Sequence, residues 1–249
     1  IRDSFVSRGL GDVYKRQLLN IDNLSSGMAS TEEIRNSLLN FKEQSGKFIY
    51  SYSETYSQSA YYLSSVADEV FLYPTGMLDF RGLGVELMFF KGAIDKLGID
   101  VQIIRGSNNK FKSAVEPFLY SQMSDENREQ VMTYLNSLWS NMLSNIKSSR
   151  NISIEQMNEI ADSIHIRNAS SAVEFQLVDR LIYEDELHSF LKTKTDTPND
   201  DELNLVPFSK YCKSKSQEDK MNFDDEANSG NIAIVYAVGD IVSGCLLYT

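Results

Sequence analysis

Apolar and polar positions along the chain alternate between a period near two and a period near 3.6. Leu18–Ile21 is a short apolar run expected to form a buried strand, and Asp22–Gly27 is a polar loop after it. Ser30 and Glu33 have the S-x-x-E spacing of a capping box, with Ile34, Leu38 and Phe41 following at helical intervals. Gly46 is expected to stop that helix, and Lys47–Ser53 (KFIYSYS) to supply the next strand. A second helix starts near Ser57 and carries Tyr61, Tyr62 and Val66. Glu69–Tyr73 reads as a strand, Pro74–Gly76 as a turn and Phe80–Val85 as a further extended piece. Leu87–Leu97 reads as a helix stopped by Gly98, and Val101–Ile104 as a buried strand.

The second half is more helical. Ser124 stands where an N-cap belongs, with Asp125 and Glu126 in the turn where the helix dipole favours carboxylates. Val131, Leu135, Leu138, Met142 and Ile146 then form an apolar stripe, with Trp139 alongside, expected to pack in the core. Ser153 with Gln156 caps a shorter helix. Thr193–Asp201 is expected as a surface connection and Leu203–Phe208 as a possible added strand, while Ser214–Gly230 is acidic and nearly free of apolar residues, as a linker is. Asn231–Ala237 (NIAIVYA) begins a fresh buried strand. Strands alternating with helices through short connections predict an α/β fold with a parallel or mostly parallel sheet.

Composition narrows the function. The 249 residues carry a net charge of −11, which argues against a phosphate-binding surface and so against nucleic acid as a partner. No uninterrupted apolar run is long enough to span a bilayer, and the N-terminus lacks the ordered regions of a signal peptide. Cys212 and Cys245 form no metal-type cluster, and His165 and His188 lie far apart with no third ligand at a telling spacing; no metal is expected. Gly82 and Gly84 lack the third glycine of a dinucleotide loop, since Leu87 stands there, so a tight strand-to-helix turn is enough to explain them. Ser107 and Lys110 have S-x-x-K spacing but lie in a Gly-Ser-Asn-Asn loop with no S-D-N or K-T-G after it, a coincidence of spacing. Asn23, Asn151 and Asn168 open N-x-S patterns of the kind that arise by chance. Asp22, Glu54 and Asp79 are carboxylates at strand ends, where solvation or capping is the ordinary role.

The stretch with the strongest chemistry is Ile99–Tyr120, IDVQIIRGSNNKFKSAVEPFLY. It sets Lys112 among Phe111, Ala114, Val115 and Phe118, and apolar neighbours that desolvate an amine disfavour its charged form and suit it to proton acceptance. Composition alone favours an ordinary surface lysine. The run FKSAVEPF, with YSQSAYYLSSVADEVFLYPTG before it and SLWSNMLSNI after it, resembles the long form of the bacterial signal peptide peptidase A (protease IV) family, over residues from about Leu18 to Val242. The resemblance implies a ClpP/crotonase-like layered fold and makes Lys112 the general base of a Ser/Lys dyad, with no metal or organic cofactor. It also matches Ala172–Leu181 (AVEFQLVDRL) to a helix followed by a Leu-Val-Asp turn that returns the chain to the sheet edge. Of two roles for Ser113, positioning the Lys112 amine or capping the helix running to Phe118, capping is the one expected. In the family the catalytic serine belongs to a second, homologous domain; by that correspondence Gln58 takes the nucleophile's place in this copy, and an amide cannot serve as an acyl-transfer nucleophile. Ser57 and Ser59 beside it are not expected to replace it.

The expected organisation follows. Residues 1–17 and 245–249 resemble translated sequencing-adapter read-through and are set aside as non-native ends. Residues 18–213 form the lysine-bearing domain, 214–230 the acidic linker, and 231–244 the first strand of a serine domain. The resemblance implies a membrane-associated serine peptidase that degrades cleaved signal peptides, anchored at the bacterial inner membrane by a segment outside these residues and facing the periplasm. Its expected partners are hydrophobic peptide substrates and further copies of itself, a tetramer by resemblance. The competing expectation is a non-catalytic crotonase-like assembly module, or one that binds acyl thioesters.

Overall fold

A computed structural model of the chain describes residues 16–104, 110–198, 200–203 and 205–207, all within one compact unit spanning Ile1–Tyr211. Four parallel strands form a single sheet in the order β1 (Gln17–Asn20), β2 (Ile49–Tyr56), β3 (Glu69–Leu78) and β4 (Arg180–Leu181). Helices α1 (Met28–Ser45) and α2 (Gln58–Ser64) connect the first three strands. Between β3 and β4 the chain makes a long excursion through α3 (Lys91–Leu97), α4 (Glu116–Leu119), α5 (Asp125–Ser149), α6 (Ile154–Asp162) and α7 (Ala169–Glu174); α8 (Glu184–Lys194) follows β4. A parallel sheet must be covered on both faces. One face meets a large core that includes Leu38, Tyr61, Val70, Leu72, Met142 and Met157; the other meets a smaller aromatic cluster of Tyr50, Tyr52 and Phe71 closed by Leu187 and Leu191 of α8. The α/β layered fold expected from the alternation of elements is the fold found.

Capping signals locate the helix ends well. Ser57, Ser124 and Ser153 are the N-caps of α2, α5 and α6, each accepting a backbone N–H from three residues on, and Gly46 and Gly98 close α1 and α3. The turn after α7 returns the chain to the sheet edge, where Asp179 grips Val70: its carboxylate accepts the Val70 N–H at 2.7 Å and its own N–H donates to the Val70 carbonyl at 2.9 Å.

Several expectations are corrected. Helix α1 begins at Met28 behind Gly27, so Ser30 lies inside it and caps nothing; its most buried line is Thr31, Arg35 and Leu38, with Ile34 and Phe41 only partly covered. Pro74–Gly76 does not end a strand. Strand β3 runs on to Leu78 because the pairing with β2 jumps from Ser53–Leu72 to Thr55–Met77, so the turn residues are looped out as a bulge within the strand. Gly76 makes that bulge possible, since a Cβ there would collide with the Glu54 carbonyl oxygen and lie 2.9 Å from the Tyr73 carbonyl oxygen. Phe80–Val85 is irregular, α3 starts at Lys91 and not Leu87, and Leu203 with Leu205–Pro207 joins no strand.

Val101–Ile104 is neither a strand nor buried: Ile104 is 93% exposed, and the segment pairs with none of the four described strands. The stripe on α5 is graded. Met142, Leu143 and Ile146 are buried, while Val131, Leu135 and Leu138 are half-buried. Strand β1 starts at Gln17, which pairs with Ile49, so the last residue of the segment read as foreign takes part in the sheet. Residues 1–15, Ser107, the 214–230 linker, the Asn231–Ala237 strand, both cysteines and the 245–249 tail lie outside the described residues.

Candidate active site

The FKSAVEPF run is held by its glutamate. Glu116, the first residue of α4, is only 3% exposed, and its carboxylate accepts three hydrogen bonds from the start of α5: from Ser124 Oγ at 2.5 Å, from the Ser124 N–H at 3.3 Å and from Asn127 Nδ2 at 2.8 Å. Ser124 Oγ in turn accepts the Asn127 N–H at 3.2 Å, so one serine both caps α5 and relays it to the carboxylate. Hydrogen bonds to an ionised acceptor are the strong ones, and a buried carboxylate needs them. Spacing alone did not single out Glu116. A carboxylate just before Pro117 in an otherwise apolar run was the available signal.

The other support comes from α3. The Phe90 N–H donates to the Pro117 carbonyl at 2.7 Å, and the Phe90 and Phe118 rings stack with centroids 5.8 Å apart. Ser113 contributes its backbone carbonyl to the Glu116 N–H at 2.9 Å; the N-cap of α4 is Val115, with no side-chain bond, so the expected Ser113 cap is not made.

Lys112 therefore sits on a segment tied down on both sides, and it is exposed. The residues expected to desolvate it do not: Phe111, Ala114 and Phe118 are exposed and Val115 half-buried. The reason is geometric, because α4 turns Glu116 inward and leaves the stretch before it on the outside. A low-dielectric environment for this amine has to come from a surface laid over it.

Gln58 opens α2 where β2 gives way to the helix. Its Oε1 accepts the backbone N–H groups of Arg81 and Gly82, both at 3.0 Å, and its Nε2 donates to the Gly82 carbonyl at 3.0 Å. All the hydrogen-bonding capacity on the oxygen side of the amide is engaged by one turn of loop, which Gly82 enters at φ +89°, a conformation open to glycine. Ser57 and Ser59 are engaged structurally as well: Ser57 caps α2 through the Ala60 N–H, the two hydroxyls lie 3.3 Å apart, and Ser59 Oγ donates to the Leu24 carbonyl. Asp22 accepts from Ser53 Oγ at 2.7 Å and Asp79 pairs with Arg81, both ordinary strand-end roles. His165 stacks on Phe175 and His188 lies within α8.

With this geometry in hand, the comparison with known proteins is decisive at the level of family. Residues 41–197 match peptidase family S49. The chain belongs to that family. It is 31% identical to Protease 4 of Haemophilus influenzae over 218 residues, 85% of this chain and 34% of that protein. It is 32% identical to Protease 4 of Salmonella typhi over 223 residues, 86% of this chain and 34% of that protein. It is 31% identical to the chloroplastic serine protease SPPA of Arabidopsis thaliana over 241 residues, 97% of this chain and 34% of that protein. The chain thus spans about a third of the length of the relatives it matches. The family resemblance carried by FKSAVEPF is borne out, and the S49 match encloses Gln58, Lys112 and Glu116.

Proposed function

We propose that this S49 chain is the base-supplying part of a serine peptidase with a Ser/Lys dyad. Lys112 accepts the proton of a serine hydroxyl as that oxygen attacks a peptide carbonyl, and returns it to the leaving amine; backbone amides beside the serine stabilise the oxyanion. The observation that carries the reading is the anchoring of FKSAVEPF. A buried carboxylate with three hydrogen bonds fixes the segment to α5, while the lysine four residues earlier is presented outward, where a partner surface can meet it. We infer further that residues 1–249 supply the base and not the nucleophile. Gln58 stands at the strand-to-helix position with its amide committed to the 81–82 loop, so this chain alone hydrolyses no peptide. The proposed substrates are cleaved signal peptides and similar hydrophobic peptides, and the proposed setting is the bacterial inner membrane on its periplasmic side. Two relatives are bacterial proteins named Protease 4, and no helix among the described residues is long and apolar enough to cross a membrane. Protease accessibility in spheroplasts tests that setting.

In the complete protein, Lys112→Ala should lower turnover by about 10²–10⁴-fold and leave stability within about 0.5 kcal/mol, since the side chain is exposed. Activity surviving that change removes Lys112 as the base.

The surface that covers Lys112 is proposed to be a second copy of the chain. Helix α3 buries none of its residues, and its Leu97, with Met88 and Phe90 just before it, is exposed, an apolar surface of the kind that marks an interface. The exposure of Lys112 also favours the competing reading, a crotonase-like assembly or acyl-thioester-binding module in which the lysine is structural; that reading expects turnover to be indifferent to Lys112→Ala.

A further inference from the structure

Strand β2 runs on past β1, whose last residue Asn20 pairs with Tyr52. Tyr52 points to the side that α8 covers through Leu187 and Leu191, and Glu54, at the register shift of β2, lines the same cavity. Between the end of β1, this part of β2 and the start of α8 lies a cavity of about 340 Å³ lined by Asp22, Tyr52, Glu54 and Glu184 together with Asn20 and Asn23. Crevices at the carboxyl ends of parallel strands are where α/β folds bind ligands.

Acidic residues at a helix start have a bland explanation in the dipole. It covers Glu184 only in part, because the capping bond at this helix is made by Glu186, which accepts the Tyr183 N–H at 2.9 Å. Among the described residues neither the Glu54 nor the Glu184 carboxylate has a hydrogen-bonding or ion-pairing partner, while the Asp22 carboxylate accepts from Ser53 Oγ alone. The observation that points to a ligand is Tyr52. Its side chain is 4% exposed, and its hydroxyl is buried with no partner. The hydroxyl feels the cavity's own walls: burial first, then Glu184 and Glu54, with Asp22 further down, push it up to about 12, so it stays protonated at neutral pH. A buried hydroxyl without a partner is costly, and the group that would satisfy it must tolerate a wall of acceptors.

A single metal ion does not fit, because among the described residues no three carboxylates, histidines or cysteines come close enough to share one. A guanidinium does: it is planar, permanently charged, and carries five donors and no acceptor, so it can reach carboxylates on separate sides and offer a donor to a phenol oxygen. We propose that this cavity binds the guanidinium of an arginine side chain carried on a peptide, with Glu54, Glu184 and Asp22 as the charged walls and Tyr52 as the inner contact. The choice of a peptide as carrier rests on the peptidase reading; the recognition of guanidinium does not.

The test is binding, not turnover, and uses the full 249-residue chain titrated with Nα-acetyl-arginine N-methylamide and with its neutral citrulline counterpart. Saturable binding of the arginine probe, at least about tenfold tighter than the citrulline probe, is expected. Glu54→Gln combined with Glu184→Gln should weaken it about tenfold or more, as for loss of charge-assisted bonds. Tyr52→Phe should weaken it several-fold while leaving the melting temperature equal or higher, which a purely structural hydroxyl would not do. Equal affinity for the two probes, no saturable binding, or affinity unmoved by these variants overturns the proposal. Failure of the peptidase reading would show instead in the Lys112→Ala turnover and leave these titrations unchanged.

Discussion

The sheet with its covering helices and the stretch from Leu83 to Tyr120 obey different rules, although they are continuous in sequence. In the first, apolar residues disappear into two cores, and the fully buried Tyr56 shares a hydrogen bond with Ser51 at 2.8 Å and donates to the Phe71 carbonyl at 3.1 Å. In the second, apolar residues of the same kinds stay in solvent, with Leu97 at 73% and Ile104 at 93% exposure, and Glu116 is the buried residue of α4. One region spends its hydrophobic surface on its own fold. The other leaves it exposed, and Lys112 rides on that other region.

The comparison breaks most sharply on paired leucines. Leu72→Ala in β3 removes a side chain buried in the main core and should cost about 3 kcal/mol, seen as a lower denaturation midpoint. Leu97→Gln in α3 has no burial to lose and should change stability by no more than about 0.5 kcal/mol, yet sediment as a smaller species if a second copy covers this surface. A comparable loss of stability from both would mean that the two regions are one core after all. An unchanged sedimentation coefficient would remove the second copy.

The same division explains what the sequence disclosed. Helix ends were legible at Ser57, Ser124, Ser153, Gly46 and Gly98 because capping is a local transaction between neighbours. The continuation of β3 through Pro74–Gly76 was not, because a bulge is defined by the partner strand, and only the offset against Ser53 and Thr55 reveals it. Val101–Ile104 has a strand's composition but pairs with no described strand, so its apolar pattern marks a surface and not a core. Helix α8 could have been found: Glu184, Asp185 and Glu186 lead it, Leu187 and Leu191 share its buried side, and Lys192 and Lys194 end it. Arg35 could not. A polarity pattern puts arginine outside, whereas this one is 1% exposed, bonded to Ser149 Oγ at 2.7 Å and to the Asn145 carbonyl, and lies over the Tyr62 ring; its burial lowers its pKa from the ordinary guanidinium value. At the site, the motif pointed to Lys112 but not to Glu116, whose buried carboxylate holds the segment.

A sharper test of the division is Glu116→Gln. The amide would turn a donor toward Ser124 and Asn127, which are already donating, so about 2 kcal/mol should be lost. If the arm is a separate cooperative unit, the loss appears as faster amide exchange around Glu116–Tyr120 and the first turn of α5, with exchange in β2 and β3 unmoved. Equal acceleration in the sheet would show that Glu116 supports the whole unit and not the lysine segment alone.

The smallest effect bears on the join between the two regions. Residues Arg81 and Gly82 lie just beyond β3, and the Gln58 amide is the side chain that ties them back to α2. Gln58→Ala frees two N–H groups and a carbonyl that border solvent, where water replaces most of what is lost, so about 1 kcal/mol is the expected cost. Exchange at the Arg81 and Gly82 amides should quicken about fivefold, as that loss of opening free energy implies, while the Glu116 anchor keeps the exchange of α4 as it was. If α4 loosened together with residues 81–82, Gln58 would be the root of the entire arm. Gln58, proposed above to stand at the nucleophile's place, would then hold the lysine's segment in position from the far side of the loop.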